Sequence, residues 1–303
     1  MTIPLRRTTA AATAILGLAV LAACTSTPTT APKLTATTTT PSTTSPTTFA
    51  TPAEVQQPVA ITHIHAVARD PKTDELLLAT HEGLFRQVDG ELRQNGPIID
   101  LMSFAVGPDG TYYASGHPGV GVDLPQPVGL LTSTDAGRTW QVASRGGESD
   151  FHALAVGPKS VTGFDGALRT STDRRTWTTH SIAAPPRALA AAPTSGTLLA
   201  TTSAGLLISG DDGGSWRKLA SPEAALLVAW ADERTIVTAT TGGHLATSND
   251  AGATWTLHPK SIGAAEALFA QHGTDGQLEI IVVVDGKVLR ITEAGETAET
   301  LVS

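Results

Sequence analysis

Ser133-Thr134-Asp135-Ala136-Gly137-Arg138-Thr139-Trp140 decides the fold, because the chain writes nearly the same octapeptide three more times. The others are a shortened Ser171-Thr-Asp-Arg-Arg-Thr-Trp177, Ser209-Gly-Asp-Asp-Gly-Gly-Ser-Trp216 and Ser248-Asn-Asp-Ala-Gly-Ala-Thr-Trp255. The closing Trp recurs at spacings of 37, 39 and 39 residues, close to the length of a four-stranded propeller blade with its turns. An all-β propeller follows from that period.

Outward from the motifs, each unit reads as an apolar strand, a turn, a second apolar strand, a Gly-containing loop, a third strand and the octapeptide. Six units align, and seven is the alternative count. First strands are expected at 63–68, 100–106, 150–156, 187–192, 226–230 and 266–270, and second strands include 75–79, 111–114, 197–201, 235–239 and 278–284. The first and last units lack the octapeptide, as end units of repeat arrays often do.

The motifs resemble the Asp-box (BNR) repeat, Ser/Thr-x-Asp-x-Gly-x-Thr-Trp, of sialidases, sortilin-like receptors and related propellers. Physically, the Asp carboxylate accepts backbone N–H groups across a tight hairpin, Gly supplies a positive φ, and Trp packs between strands. Asp135, Trp140, Asp173, Trp177, Asp211, Trp216, Asp250 and Trp255 are therefore expected to close hairpins between third and fourth strands, with no part in catalysis. The second motif has lost its Gly, so its turn is expected to be distorted. The segments His63-Ile-His65, Ala79-Thr-His-Glu-Gly83, Ala114-Ser-Gly-His-Pro-Gly119 and Asp150-Phe-His-Ala-Leu154 are similar to those of bacterial secreted propellers described as BNR-type glycosylhydrolase-like proteins. A shared repeat implies a fold and leaves the activity open.

The N-terminus reads as an export signal over 1–23. Arg6 and Arg7 precede an apolar run from Ala10 to Val20 that is short for a spanning helix and ends in small residues. Leu21-Ala22-Ala23-Cys24 resembles the lipobox of bacterial lipoproteins, which implies lipidation of Cys24 and a place on the extracytoplasmic face of the cell membrane. Cys24 is the only cysteine, so no disulfide staples the folded part. Residues 24–58, rich in Thr and Pro, bury too little apolar surface to fold and read as a disordered tether. The propeller is expected over 59–303. Loss of Arg6 and Arg7 with the signal takes the formal charge from −8 to −10, which excludes the basic face a nucleic-acid binder needs. A monomer is the expected state.

Register brings scattered histidines into equivalent places. Counting back from the Pro that ends each first strand, His65 matches Met102 and His152, while His63, Asp100 and Asp150 lie two residues earlier; the fourth unit contributes Arg187. The innermost strands of a propeller line its channel, and the loops between second and third strands return to the mouth where those strands begin. These loops carry His81 with Glu82, His117, Asp165 and His244. His plus carboxylate is the ligand set of Zn²⁺ or Cu²⁺, and His63, His65, His117 and His152 are the candidate metal ligands. A polar plug of hydrogen-bonded imidazoles is the alternative. His81, Glu82, His117 and Arg187 are candidate ligand-binding residues for a glycan or protein.

A glycoside hydrolase needs two facing carboxylates, and Asp100 and Asp150 are the candidates. Sialidase chemistry fits poorly: that family's Arg-Ile-Pro segment is absent, only Arg187 holds a clear channel position, and of Tyr112 and Tyr113 only one can face inward. The 116–129 connection, containing Asp123-Leu-Pro-Gln-Pro127, is long enough to act as a lid or partner contact. A partner contact there would match the Asp-box propellers that help assemble photosynthetic complexes. Three functions stay open: ligand binding with a metal, glycoside hydrolysis, and scaffolding of a membrane complex.

Overall fold

The computed structural model describes residues 60–292 and 297–303; the expected signal, Cys24 and the whole of the 24–58 tether lie outside them. The described residues form 24 strands, numbered β1 to β24 in chain order, in six four-stranded antiparallel sheets. Each sheet takes four consecutive strands and is one blade of a six-bladed β-propeller. The blades span 64–95, 99–144, 153–180, 186–218, 225–257 and 265–302.

The innermost strands are β1 (Ile64–Arg69), β5 (Ile99–Val106), β9 (Ala153–Val156), β13 (Pro186–Ala191), β17 (Ala225–Trp230) and β21 (Ala265–His272). A sheet with a neighbour on each face must be apolar on both, and the second strands are: β2 (Leu76–Thr80) and β18 (Ile236–Thr240) are buried at every residue. Among the described residues six apolar clusters form, each joining two neighbouring blades. Leu84 with Leu131 joins the first and second blades, and Val67 with Ile281 joins the first and last. The ring closes without strand exchange, since the first and last blades are each built from one end of the chain.

The octapeptide hairpins connect third and fourth strands, as β7 (Leu130–Ser133) and β8 (Gln141–Ser144) show. Asp135 accepts the Thr139 amide at 3.0 Å and its hydroxyl at 2.7 Å, and Ser133 Oγ accepts the Gly137 amide at 2.8 Å. Two successive left-handed residues make the turn: Ala136 and Gly137, Asp212 and Gly213, Ala251 and Gly252. The shortened motif has one, Arg174, yet Asp173 still accepts the Arg175 and Thr176 amides at 2.8 and 2.7 Å.

The hairpins also clasp neighbouring blades. A Cβ on Gly137 would meet Leu84 of the preceding blade, and Asp212 accepts a hydrogen bond from Thr170 of its preceding blade at 2.8 Å. In the shortened motif Arg174 lies over the Tyr113 ring instead, 5.3 Å from its centroid.

Strand register departs from the expected one in two places. The second strand of blade two, β6 (Tyr112–Pro118), runs four residues past the expected end and carries His117, which pairs across the ladder with Asp100. Each innermost strand except β9 also holds a bulge near its start, where one residue is left without a partner.

Candidate functional site at the channel mouth

The bulges make the site. On β1 Ile64 pairs with Thr80 and Ala66 with Ala79, leaving His65 unpaired. An extra residue bends the strand and re-aims a side chain. The equivalent residues are Met102, Arg187, Leu226 and Glu266. In the third blade His152 takes that place, one residue before β9, with its amide on the Phe164 carbonyl at 3.0 Å. His65, Met102, His152, Arg187 and Glu266 line a central cavity of about 410 Å³ together with His63. Phe104, Leu154, Leu189, Leu227 and Leu268 add apolar patches to a lining that is more polar than apolar.

On the first two blades three side chains converge. His65 Nε2 lies 3.3 Å from His81 Nδ1 and 3.7 Å from Asp100 Oδ1, and His81 Nδ1 is hydrogen-bonded to Asp100 Oδ1 at 2.8 Å. Ligands held at about 2.1 Å in a tetrahedral shell lie roughly 3.4 Å apart, and these separations bracket that value. Burial, reinforced by the His63 and His81 imidazoles, pushes the His65 pKa down to about 4 against the opposing pull of Asp100. His65 is therefore neutral near pH 7, the form that offers a lone pair to a metal. Two imidazoles and a carboxylate leave a coordination position open to a ligand.

His63 stacks edge-on against His65, ring centroids 4.6 Å apart, and its Nδ1 lies 3.8 Å from Glu266 Oε2. His117 and His152 gather instead around Asp150: His117 Nε2 lies 3.1 Å and His152 Nε2 2.8 Å from Asp150 Oδ2. His117 Nδ1 and Asp150 Oδ1 are buried without a hydrogen-bond partner. The four candidate histidine ligands thus divide into two neighbouring groups, His63 with His65 and His117 with His152. The ladder pair Asp100 and His117 links them. Asp100 and Asp150, the paired-carboxylate candidates, are both held by imidazoles.

The other mouth residues are engaged locally. Glu82 accepts hydrogen bonds from the Thr62 hydroxyl at 2.6 Å and its amide at 3.2 Å. His244 Nδ1 lies 3.2 Å from Glu223 Oε2. Asp165, expected at the mouth, is a buried structural acid that accepts hydrogen bonds from Ser149 and Arg169. Glu266 escapes sequence reading because the sixth unit has no Pro from which to count back.

No family model matches the sequence, and none of the curated proteins matches it. Solved structures match in fold. The virginiamycin B lyase of Staphylococcus aureus is 12% identical over 78% of this chain and 83% of that one, with a TM-score of 0.54. The structure of a nidogen/laminin complex gives 14% identity, 75% and 92% coverage and a TM-score of 0.59. A GH74 xyloglucanase from Xanthomonas campestris gives 18% identity over 68% of this chain, with a TM-score of 0.47, and the chain spans only 38% of that enzyme's length. At such identities the likeness is one of fold alone.

Proposed function

We propose that this protein is an extracytoplasmic binding propeller, tethered to the membrane by a lipid on Cys24, that holds a ligand at its channel mouth through a Zn²⁺ or Cu²⁺ ion. The convergence of His65 Nε2, His81 Nδ1 and Asp100 Oδ1 carries the reading. Bound metal would supply Lewis acidity and one open coordination position; His65, His81 and Asp100 would hold it, with His63 and His152 flanking the entrance. The four octapeptides support membership of the BNR-type propellers, and Leu21-Ala22-Ala23-Cys24 supports the lipid anchor. Thermal melting of tag-free protein with and without added Zn²⁺ or Cu²⁺ tests the metal: a stabilisation that His65→Ala removes supports it, and equal melting temperatures oppose it. Membrane fractionation of Cys24→Ser tests the anchor.

Glycoside hydrolysis is the second reading, favoured by the placement of Asp100 and Asp150 at one mouth on neighbouring blades. The imidazoles on both carboxylates favour holding over an acid and nucleophile pair. Hydrolysis of aryl glycosides or native polysaccharides that falls in Asp100→Asn and Asp150→Asn would shift the assignment to this reading. A scaffolding role would instead act through the 116–129 connection, where Val120 is fully exposed, and predicts a protein recovered from membranes that is lost on shortening that loop.

A further inference from the structure

Among the described residues Arg187 is the one Lys or Arg side chain lining the central cavity, and it is exposed with no hydrogen bond or ion pair to any of them. Within the ring the fourth blade lies across the channel from the first, so Arg187 and His65, at equivalent bulges, face each other from opposite walls. Its neighbours at the same level are His152 on the third blade and Leu226 on the fifth, and neither carries negative charge. Glu266, on the sixth blade, is the acid at this level and lies against His63. In a chain of net charge −8, this guanidinium has no carboxylate partner among the described residues, and Glu266 is the one carboxylate that lines the cavity with it. Low-dielectric walls focus such a charge into the cavity, and the planar fork of Arg suits a carboxylate or a phosphate.

The wall carries apolar patches at Leu189, Leu227 and Phe104 within a lining that is more polar than apolar, and the volume, about 410 Å³, is that of a small-molecule site. We propose that the channel takes a small organic anion, a carboxylate or a phosphate monoester, whose charged head is held by Arg187 and whose apolar body descends against Leu189, Leu227 and Phe104. This deepens the reading of the channel mouth as a ligand site and rests on it; the head is read by Arg187 whether or not metal is bound opposite.

Titration calorimetry of the purified full-length protein, in metal-free and Zn²⁺-treated form, tests it with hexanoate, hexyl phosphate, acetate and hexylammonium as probes. The proposal expects hexanoate or hexyl phosphate to bind, and the stronger of the two identifies the head group. Acetate should bind more weakly, hexylammonium should not bind, and Arg187→Gln should weaken the anion roughly tenfold or more while Arg187→Lys loses less. No anion binding, hexylammonium binding as tightly as hexanoate, acetate matching hexanoate, or an unaffected Arg187→Gln would each overturn it. Arg187-dependent anion binding by a protein that takes up no metal would sink the metal reading alone. Metal uptake without anion binding would sink this inference alone.

Discussion

Arg69 on the first blade and Glu279 on the last hold each other through two hydrogen bonds, 2.7 Å from Nη2 and 3.3 Å from Nε, both side chains being about nine-tenths buried. This bidentate pair fastens the ring at the seam where the two ends of the folded chain meet. Gln271 adds a hydrogen bond to Glu279 at 2.9 Å. Removing one partner strands a buried charge, which typically costs about 3 kcal/mol or more. Arg69→Met should therefore lower stability by that order in urea unfolding, while Arg69→Met with Glu279→Leu should recover much of the loss. A single variant as stable as the wild type would show that apolar packing alone closes the ring.

Two glycines in equivalent hairpins should respond differently to alanine. Gly137 has φ +85°, and a Cβ there would come within 2.3 Å of the buried Leu84; Gly213 has φ +87° and its nearest neighbour, Leu168, at 3.4 Å. Gly213→Ala pays only for the left-handed backbone, about 1 kcal/mol. Gly137→Ala adds overpacking against the neighbouring blade, for about 2–3 kcal/mol in all. Equal losses in denaturant melts would contradict the inter-blade clasp.

Acid should loosen the hairpins. Hydrogen bonds from Thr139, Ser215 and Thr254 hold Asp135, Asp211 and Asp250 down to pKa values of about 2. A carboxylate whose pKa is depressed on folding contributes stability that is fully present above its unfolded value, near 4, and is lost as pH falls toward the folded one. Melting temperature should accordingly decline between about pH 4 and pH 2. The triple variant Thr139→Val, Ser215→Ala, Thr254→Val should decline less steeply over that window. Identical slopes would place the acid sensitivity elsewhere.

Blade number and the place of the hairpins were legible from Trp140, Trp177, Trp216 and Trp255, because a turn requirement is local and repeats. Counting back from Pro71, Pro108 and Pro158 likewise put His65, Met102 and His152 in one row. The bulges were not legible: Ile64, His65 and Ala66 carry no composition signal that one of them is skipped in the ladder. A bulge arises from how a strand bends into the channel, which is a property of the closed ring. Spacing alone therefore grouped His63 and His65 with His117 and His152. In the folded chain His65 meets His81, from the loop after the neighbouring strand, while His117 and His152 share Asp150. The approaches of His65 to Asp100 and of His117 to Asp150 follow from side-chain reach between neighbouring blades, which no period encodes.

The most direct test of the central claim is metal content after equilibrium dialysis of tag-free, full-length protein against Zn²⁺ or Cu²⁺, compared among wild type, His81→Ala, Asp100→Asn and Asp150→Asn. The account predicts one tightly held equivalent in the wild type and in Asp150→Asn, with affinity lowered roughly tenfold or more in His81→Ala and Asp100→Asn. No stoichiometric metal in the wild type, or uptake unchanged by His81→Ala and Asp100→Asn, would contradict it.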